Sequence, residues 1–144
     1  MRVILSIAVI FLTSLSSAQS SIPGNDFSLT LERTGCLGKC PDYKVTIQSD
    51  GTLHYEGRFY VHAKGIRDKK LSPKVVQRLV QRLEAEDFFH WEQKGGVCLD
   101  TPETQITATL NGVQKHAMEG CNTPGKVLKL ADEIEKIIGV KRWI

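Results

Sequence analysis

Hydrophobic and polar positions alternate with period two over several short stretches. In "FSLTLE", Phe27, Leu29 and Leu31 fall on one side and Ser28, Thr30 and Glu32 on the other. That period describes a strand with one face buried. "YKVTIQ" repeats it with Tyr43, Val45 and Ile47, and "TLHYEGRFYVHA" carries Leu53, Tyr55, Phe59 and Val61. The turn between the last two, "QSDGT", fixes their register. A two-residue Asp50-Gly51 loop would set Ile47 opposite His54 and mix apolar with polar side chains on one face. A three-residue loop, Ser49-Asp50-Gly51 with Gly51 left-handed, pairs Ile47 with Leu53 and Val45 with Tyr55. A slip of one residue moves every side chain to the other face, so burial selects the longer loop. His54, Glu56 and Arg58 then face away from the core.

The period then changes. Val75, Val76, Leu79, Val80 and Leu83 recur at helical spacing behind Ser72-Pro73. Serine is expected to cap the free amides, and proline fits the first helical turn. "DFFHW" (Asp87 to Trp91) follows as an aromatic core cluster. "TQITATL-NG-VQKHAM" is a second hairpin. Its two-residue Asn111-Gly112 turn sets Leu110 opposite Val113 and Ile106 opposite Ala117. Thr123-Pro124 opens a second helix, lined inward by Val127, Leu130, Ala131, Ile134 and Ile137 and stopped at Gly139. The expected fold is α+β: an antiparallel sheet of about five strands with two helices packed on one face. "RDKK" (Arg67 to Lys70) is expected to be a solvated loop.

The N-terminus follows a different logic. Arg2, an apolar run from Val3 to Leu12 and small residues ending "SSA" describe a secretory signal peptide, with cleavage after Ala18. The run is shorter than the roughly 20 residues of a membrane-spanning helix, so no membrane span is expected after cleavage. Residues 19–26 form a polar lead-in, and 27–144 a single domain. Removing Arg2 lowers the formal charge from +3 to +2, too near neutral to argue for nucleic acid. The expected location is the periplasm or the exterior.

Export changes how the cysteines are read. Four are present, Cys36, Cys40, Cys98 and Cys121, and four allow three pairings. Neighbour pairing, Cys36 with Cys40 and Cys98 with Cys121, is expected because the second pair brackets the Asn111-Gly112 hairpin. Loop-closure entropy gives about 2 kcal/mol for the small loop and about 3.5 kcal/mol for the large one. A four-thiolate zinc site would show tighter paired spacing. A thiol-exchange centre would use C-x-x-C at a helix start, whereas Cys36 and Cys40 have three residues between them and a strand after them.

Other chemistry is sparse. The chain has no G-x-S-x-G elbow, H-E-x-x-H helix or phosphate-cradling glycine loop. Its four histidines, His54, His62, His90 and His116, are scattered without metal-ligand spacing. Asp100, in "CLDTPET", most simply bonds nearby backbone amides in a turn. No cofactor or metal is implied.

Cys36-x-Gly38-x-Cys40-Pro41-x-Tyr43, Asp50-Gly51, Tyr55-x-Gly57 and Gly65 resemble a bacterial family of exported proteins, domain of unknown function 6438. Asp100-x-Pro102 and "NGVQKHA" fit the same pattern. The resemblance covers about residues 27–138. It implies a cell-envelope or secreted protein and no established activity. Two classes of function follow. The first is a disulfide-stabilised binding module with an unknown envelope or extracellular partner, using Tyr43, Asp100, His54, Glu56 and Arg58. The alternative is a small thiol-redox or other enzyme using Cys36, Cys40 and Asp100. The absence of a legible catalytic constellation favours the first.

Overall fold

A computed structural model describes residues 26–92, 102–119 and 125–144. The expected signal peptide (residues 1–18), Cys98, Asp100, Cys121 and Thr123-Pro124 lie outside the described residues. The chain runs β1 (Ser28–Arg33), β2 (Asp42–Gln48), β3 (Thr52–Phe59), β4 (Gly65–Lys70), α1 (Pro73–Ala85), a 3-10 turn (Phe88–His90), β5 (Thr104–Leu110), β6 (Val113–Glu119) and α2 (Lys126–Ile138). The strands form one sheet in the order β4-β3-β2-β1-β5-β6, with every neighbouring pair antiparallel. The fold is α+β, with both helices on one face.

The alternating pattern builds this sheet directly. Leu29, Leu31, Val45, Ile47, Leu53, Tyr55, Ile106 and Ala108 are buried on the inner face. Val76, Leu79 and Leu83 of α1, and Val127, Leu130, Ala131 and Ile134 of α2, close over them. Ile47 pairs with Leu53 and Val45 with Tyr55, across a loop in which Gly51 has φ +84°. A Cβ on Gly51 would lie 2.4 Å from the Leu71 carbonyl oxygen, so the turn needs glycine twice over. Asp50 joins in: its carboxylate accepts from Lys70 Nζ and from the Thr52 amide and hydroxyl, which push its pKa down to about 2. In the second hairpin Leu110 opposes Val113 and Ile106 opposes Ala117, with Asn111 and Gly112 both left-handed.

The sheet has six strands rather than five. The extra one, β4, spans the expected "RDKK" loop and is almost wholly exposed. As an edge strand it has no apolar face to show periodicity, and β3 alone specifies it through backbone pairing. The start of α1 also differs from expectation. Pro73 does open it, but the Ser72 side chain makes no cap bond. The Ser72 carbonyl accepts from the amides of Val75 and Val76 instead. Phe88 is fully buried, with Phe89 and Trp91 edge-on to it, as a core reading of "DFFHW" requires.

At the far end of β3 the chain folds back tightly over Gly57. A Cβ there would stand 2.0 Å from the Ala63 carbonyl oxygen and 2.8 Å from the Tyr55 hydroxyl. Gly65 has open space around it and only a positive φ, +81°. Gly57→Ala should therefore destabilise by about 3 kcal/mol through overpacking against backbone. Gly65→Ala should cost about 1 kcal/mol through conformation alone. Urea unfolding of the two variants checks both values and their order.

Candidate functional site

β1 ends at Arg33 and β2 begins at Asp42, so residues 34–41 form a loop at one end of the sheet. Cys36 and Cys40 are disulfide-bonded within it, with Cα atoms 5.6 Å apart. The Gly38 amide donates to Cys36 Sγ at 3.2 Å, and Leu37 between them is 87% exposed. The base of the loop is fastened to the start of β5. The Thr34 amide donates to the Glu103 carbonyl at 3.0 Å, and the Glu103 amide to Thr34 Oγ1 at 3.1 Å.

A second loop stands beside the first. Asp42 pairs with Phe59, whereas Tyr43 pairs with Gly57, so Arg58 is a bulge in β3. Bulges re-aim side chains at strand ends. Arg58 forms ion pairs with Asp42 and, at 2.8 Å, with Glu32. Past the bulge Tyr60 takes a left-handed backbone, φ 51°, uncommon for a bulky residue and a mark of local strain. Val61 and Ala63 turn inward and are buried. The amides of His62 and Ala63 donate to the carbonyls of Ile144 and Trp143 at 3.4 and 2.9 Å, and the Tyr55 hydroxyl also donates to Trp143. The loop is thus held by Gly57 below and by residues 143–144 at the side. Phe59 and Tyr60 are left 62% and 55% exposed.

Beneath both loops lies a charged cluster. Arg33 has the inner-face parity of Leu29 and Leu31, and it pairs with Tyr43 across the sheet. Its Nε donates to the Tyr43 hydroxyl at 3.0 Å and to Glu135 Oε1 at 2.8 Å, and its Nη2 to Asp132 at 2.8 Å. The Tyr43 hydroxyl donates to the same Glu135 carboxylate. Burial, then the nearby Glu135 charge, push the Tyr43 phenol far above its ordinary pKa. Glu135 is only 3% exposed, yet it sits in the apolar stripe of α2. Its place four residues after Ala131 is the signal that marks it as inward-facing.

A cleft of about 190 Å³ opens beside the disulfide, lined by Arg33, Cys40, Pro41, Glu103, Glu119 and Leu128. Buried Glu119 accepts from the Leu128 amide at 2.8 Å. It caps α2 from β6, because Gly125 at the N-cap has no side chain to do so.

The sequence-predicted residues are thus dispersed. Cys36 and Cys40 pair as expected. Tyr43 is wholly buried, with no surface to offer a partner. His54 faces outward and lies 2.7 Å from Asp68, while half-buried Glu56 opposes Lys44 in the sheet. Cys98, Cys121 and Asp100 lie outside the described residues. Pro102 and Glu103, just after Asp100, do line the cleft beside Cys40. They arrive there because β1 stands between the two hairpins and pairs with both. The exposed apolar residues Leu37, Phe59 and Tyr60 carry no sequence signal, since exposure of a loop side chain is set by tertiary packing. Among the described residues, no three His, Cys, Asp or Glu side chains gather to hold a metal, and no helix is long and apolar enough to cross a membrane.

The raised phenol has a consequence at alkaline pH. The folded protein keeps the Tyr43 proton above pH ~10, where the unfolded chain loses it, so stability falls as pH rises past that point. Alkaline unfolding should begin there and be shallower in Tyr43→Phe, measured as urea midpoints across pH. An identical pH dependence in the variant would show that Tyr43 is not its source.

Comparison of the chain with curated proteins finds no match. A family model does match, from Phe27 to Ile138, which runs from the residue before β1 to the last residue of α2. Because this match spans the whole sheet and both helices, the chain belongs to the family Domain of unknown function (DUF6438).

Proposed function

We propose that the protein is an exported, non-catalytic binding module of the bacterial cell envelope, and that it meets its partner through the two loops at the disulfide end. One observation carries this: Leu37, Phe59, Tyr60 and Ile66 stand exposed on adjoining segments of pinned backbone. Neighbouring exposed apolar side chains on a rigid support are what contact surfaces present. The charged, apolar and small-residue order of residues 2–18 supports export. The outer sheet face is a weaker candidate, because His54 and Arg58 already pair with Asp68, Asp42 and Glu32.

Immobilised protein should retain a partner from envelope extract. A Leu37→Asp/Tyr60→Asp variant should lose it, and His54→Ala/Glu56→Ala/Arg58→Ala should keep it. The reverse pattern would move the contact to the sheet face and end the loop assignment.

A thiol-exchange reading has one observation in its favour. The Gly38 amide aimed at Cys36 Sγ would stabilise a thiolate there after reduction. In that chemistry the reduced pair would pass two electrons to a substrate disulfide and return to Cys36–Cys40. With dithiothreitol as reductant, the binding-module reading expects equal insulin reduction by the wild type and Cys36→Ser/Cys40→Ser. A rate that depends on the two cysteines would favour exchange.

A further inference from the structure

We propose that the loop end docks on an anionic lipid surface. This rests on the binding-module reading and names its partner. Loops 34–41 and 59–65 contain Lys39, His62 and Lys64 and no acidic residue. The nearest carboxylates, Glu32, Asp42, Glu56 and Glu103, are half-buried in or beside the strands, with Arg58 facing the first two, and Asp68 lies on the outer face beside His54. Lys39 and Lys64, by contrast, are exposed on the loops themselves, so the tips are basic although the chain as a whole is only +3.

The apolar groups are arranged to protrude. Leu37 tops the disulfide ring, and Phe59 and Tyr60 cap the β3 end. Ile66, 67% exposed, is the second residue of β4. Asp42 pairs with Phe59 and Gly57 with Gly65, so the three segments emerge side by side from consecutive strands β2, β3 and β4. Along residues 59–64 outward Phe59, Tyr60, His62 and Lys64 contrast with inward Val61 and Ala63. Apolar side chains that are more than half exposed on separate loops need a partner that can take up each of them. A bilayer interface does so: it takes up leucine, isoleucine and phenylalanine, keeps a tyrosine hydroxyl at headgroup level, and pairs lysine with anionic lipid. Two lysines alone hold a protein weakly, so apolar insertion and charge must act together.

The test is co-sedimentation of the protein purified from the envelope fraction, with vesicles of pure phosphatidylcholine or containing about one-third phosphatidylglycerol. Binding to the anionic vesicles alone, weakened by ~0.5 M salt, is expected. Lys39→Gln/Lys64→Gln should weaken it roughly thirtyfold, from the per-lysine contribution at an anionic surface. Leu37→Asp/Tyr60→Asp should abolish it, and His54→Ala should leave it unchanged. No binding to anionic vesicles, or binding indifferent to both double variants, overturns the proposal. If vesicles fail while envelope capture through Leu37 and Tyr60 succeeds, the lipid assignment falls and the binding module stands. If both fail, both fall.

Discussion

Arg33 holds the architecture at its midpoint. β1 is the strand that pairs with both hairpins, and Arg33 is its last residue. From there one guanidinium meets the phenol of β2's Tyr43 and two carboxylates of α2. Sheet and helix are thus tied through a charge with little access to water. Removing Arg33 would strip the buried Glu135 carboxylate of its nearest cation, which is far costlier than the net worth of the pair. The apolar stripe alone would let α2 slide or rotate over a greasy sheet. A buried ion pair tolerates one position, so it sets where the helix lies. Both loops at this end inherit that placement, since they spring from the strands that the cluster joins.

The two loops are made rigid by unlike means. The first is closed covalently and stitched to Glu103 by a reciprocal pair of hydrogen bonds. The second is closed by close approach: a missing side chain at Gly57 lets the Ala63 carbonyl come down onto β3. Tyr55 then stacks on Tyr43 and meets Trp143 at a tilt, so the support of the second loop continues into the charged cluster under the first. Of the residues that carry the family resemblance, Cys36, Gly38, Cys40, Pro41, Tyr43, Tyr55, Gly57 and Gly65 belong to these two loops and their footings, while Asp50-Gly51 and "NGVQKHA" lie at the hairpin turns elsewhere. None of them is itself a protruding apolar tip.

Much of the fold could be read from the chain. Both hairpin registers followed from turn chemistry plus the demand that apolar side chains share a face, and both helices from their spacing. The failures share a cause. β4 has no apolar face, so its strand state is decided by β3 rather than by its own residues. Ser72 carries the right chemistry for a cap, but the backbone carbonyl does the work. Glu135 has a surface residue's charge, and only its place in the inward stripe of α2 hints at the partners, Arg33 and Tyr43, that it meets there. In the site, the disulfide was legible because two cysteines near in sequence must be near in space. Leu37, Phe59 and Tyr60 were not, because nothing local distinguishes an apolar residue that will be covered from one that will be left out.

β4 bears on how the sheet ends. Its outer rim offers open backbone donors and acceptors, the template on which a second chain could extend the sheet. Arg67, Asp68, Lys69 and Lys70 occupy that rim, and β4 is largely exposed. A like copy approaching edge to edge would bring cations against cations and strip water from them. Edge-to-edge pairing of like strands is a route to fibrils. A strand too polar to announce itself in the sequence thus acts as a stop, ending the sheet on that side at one molecule.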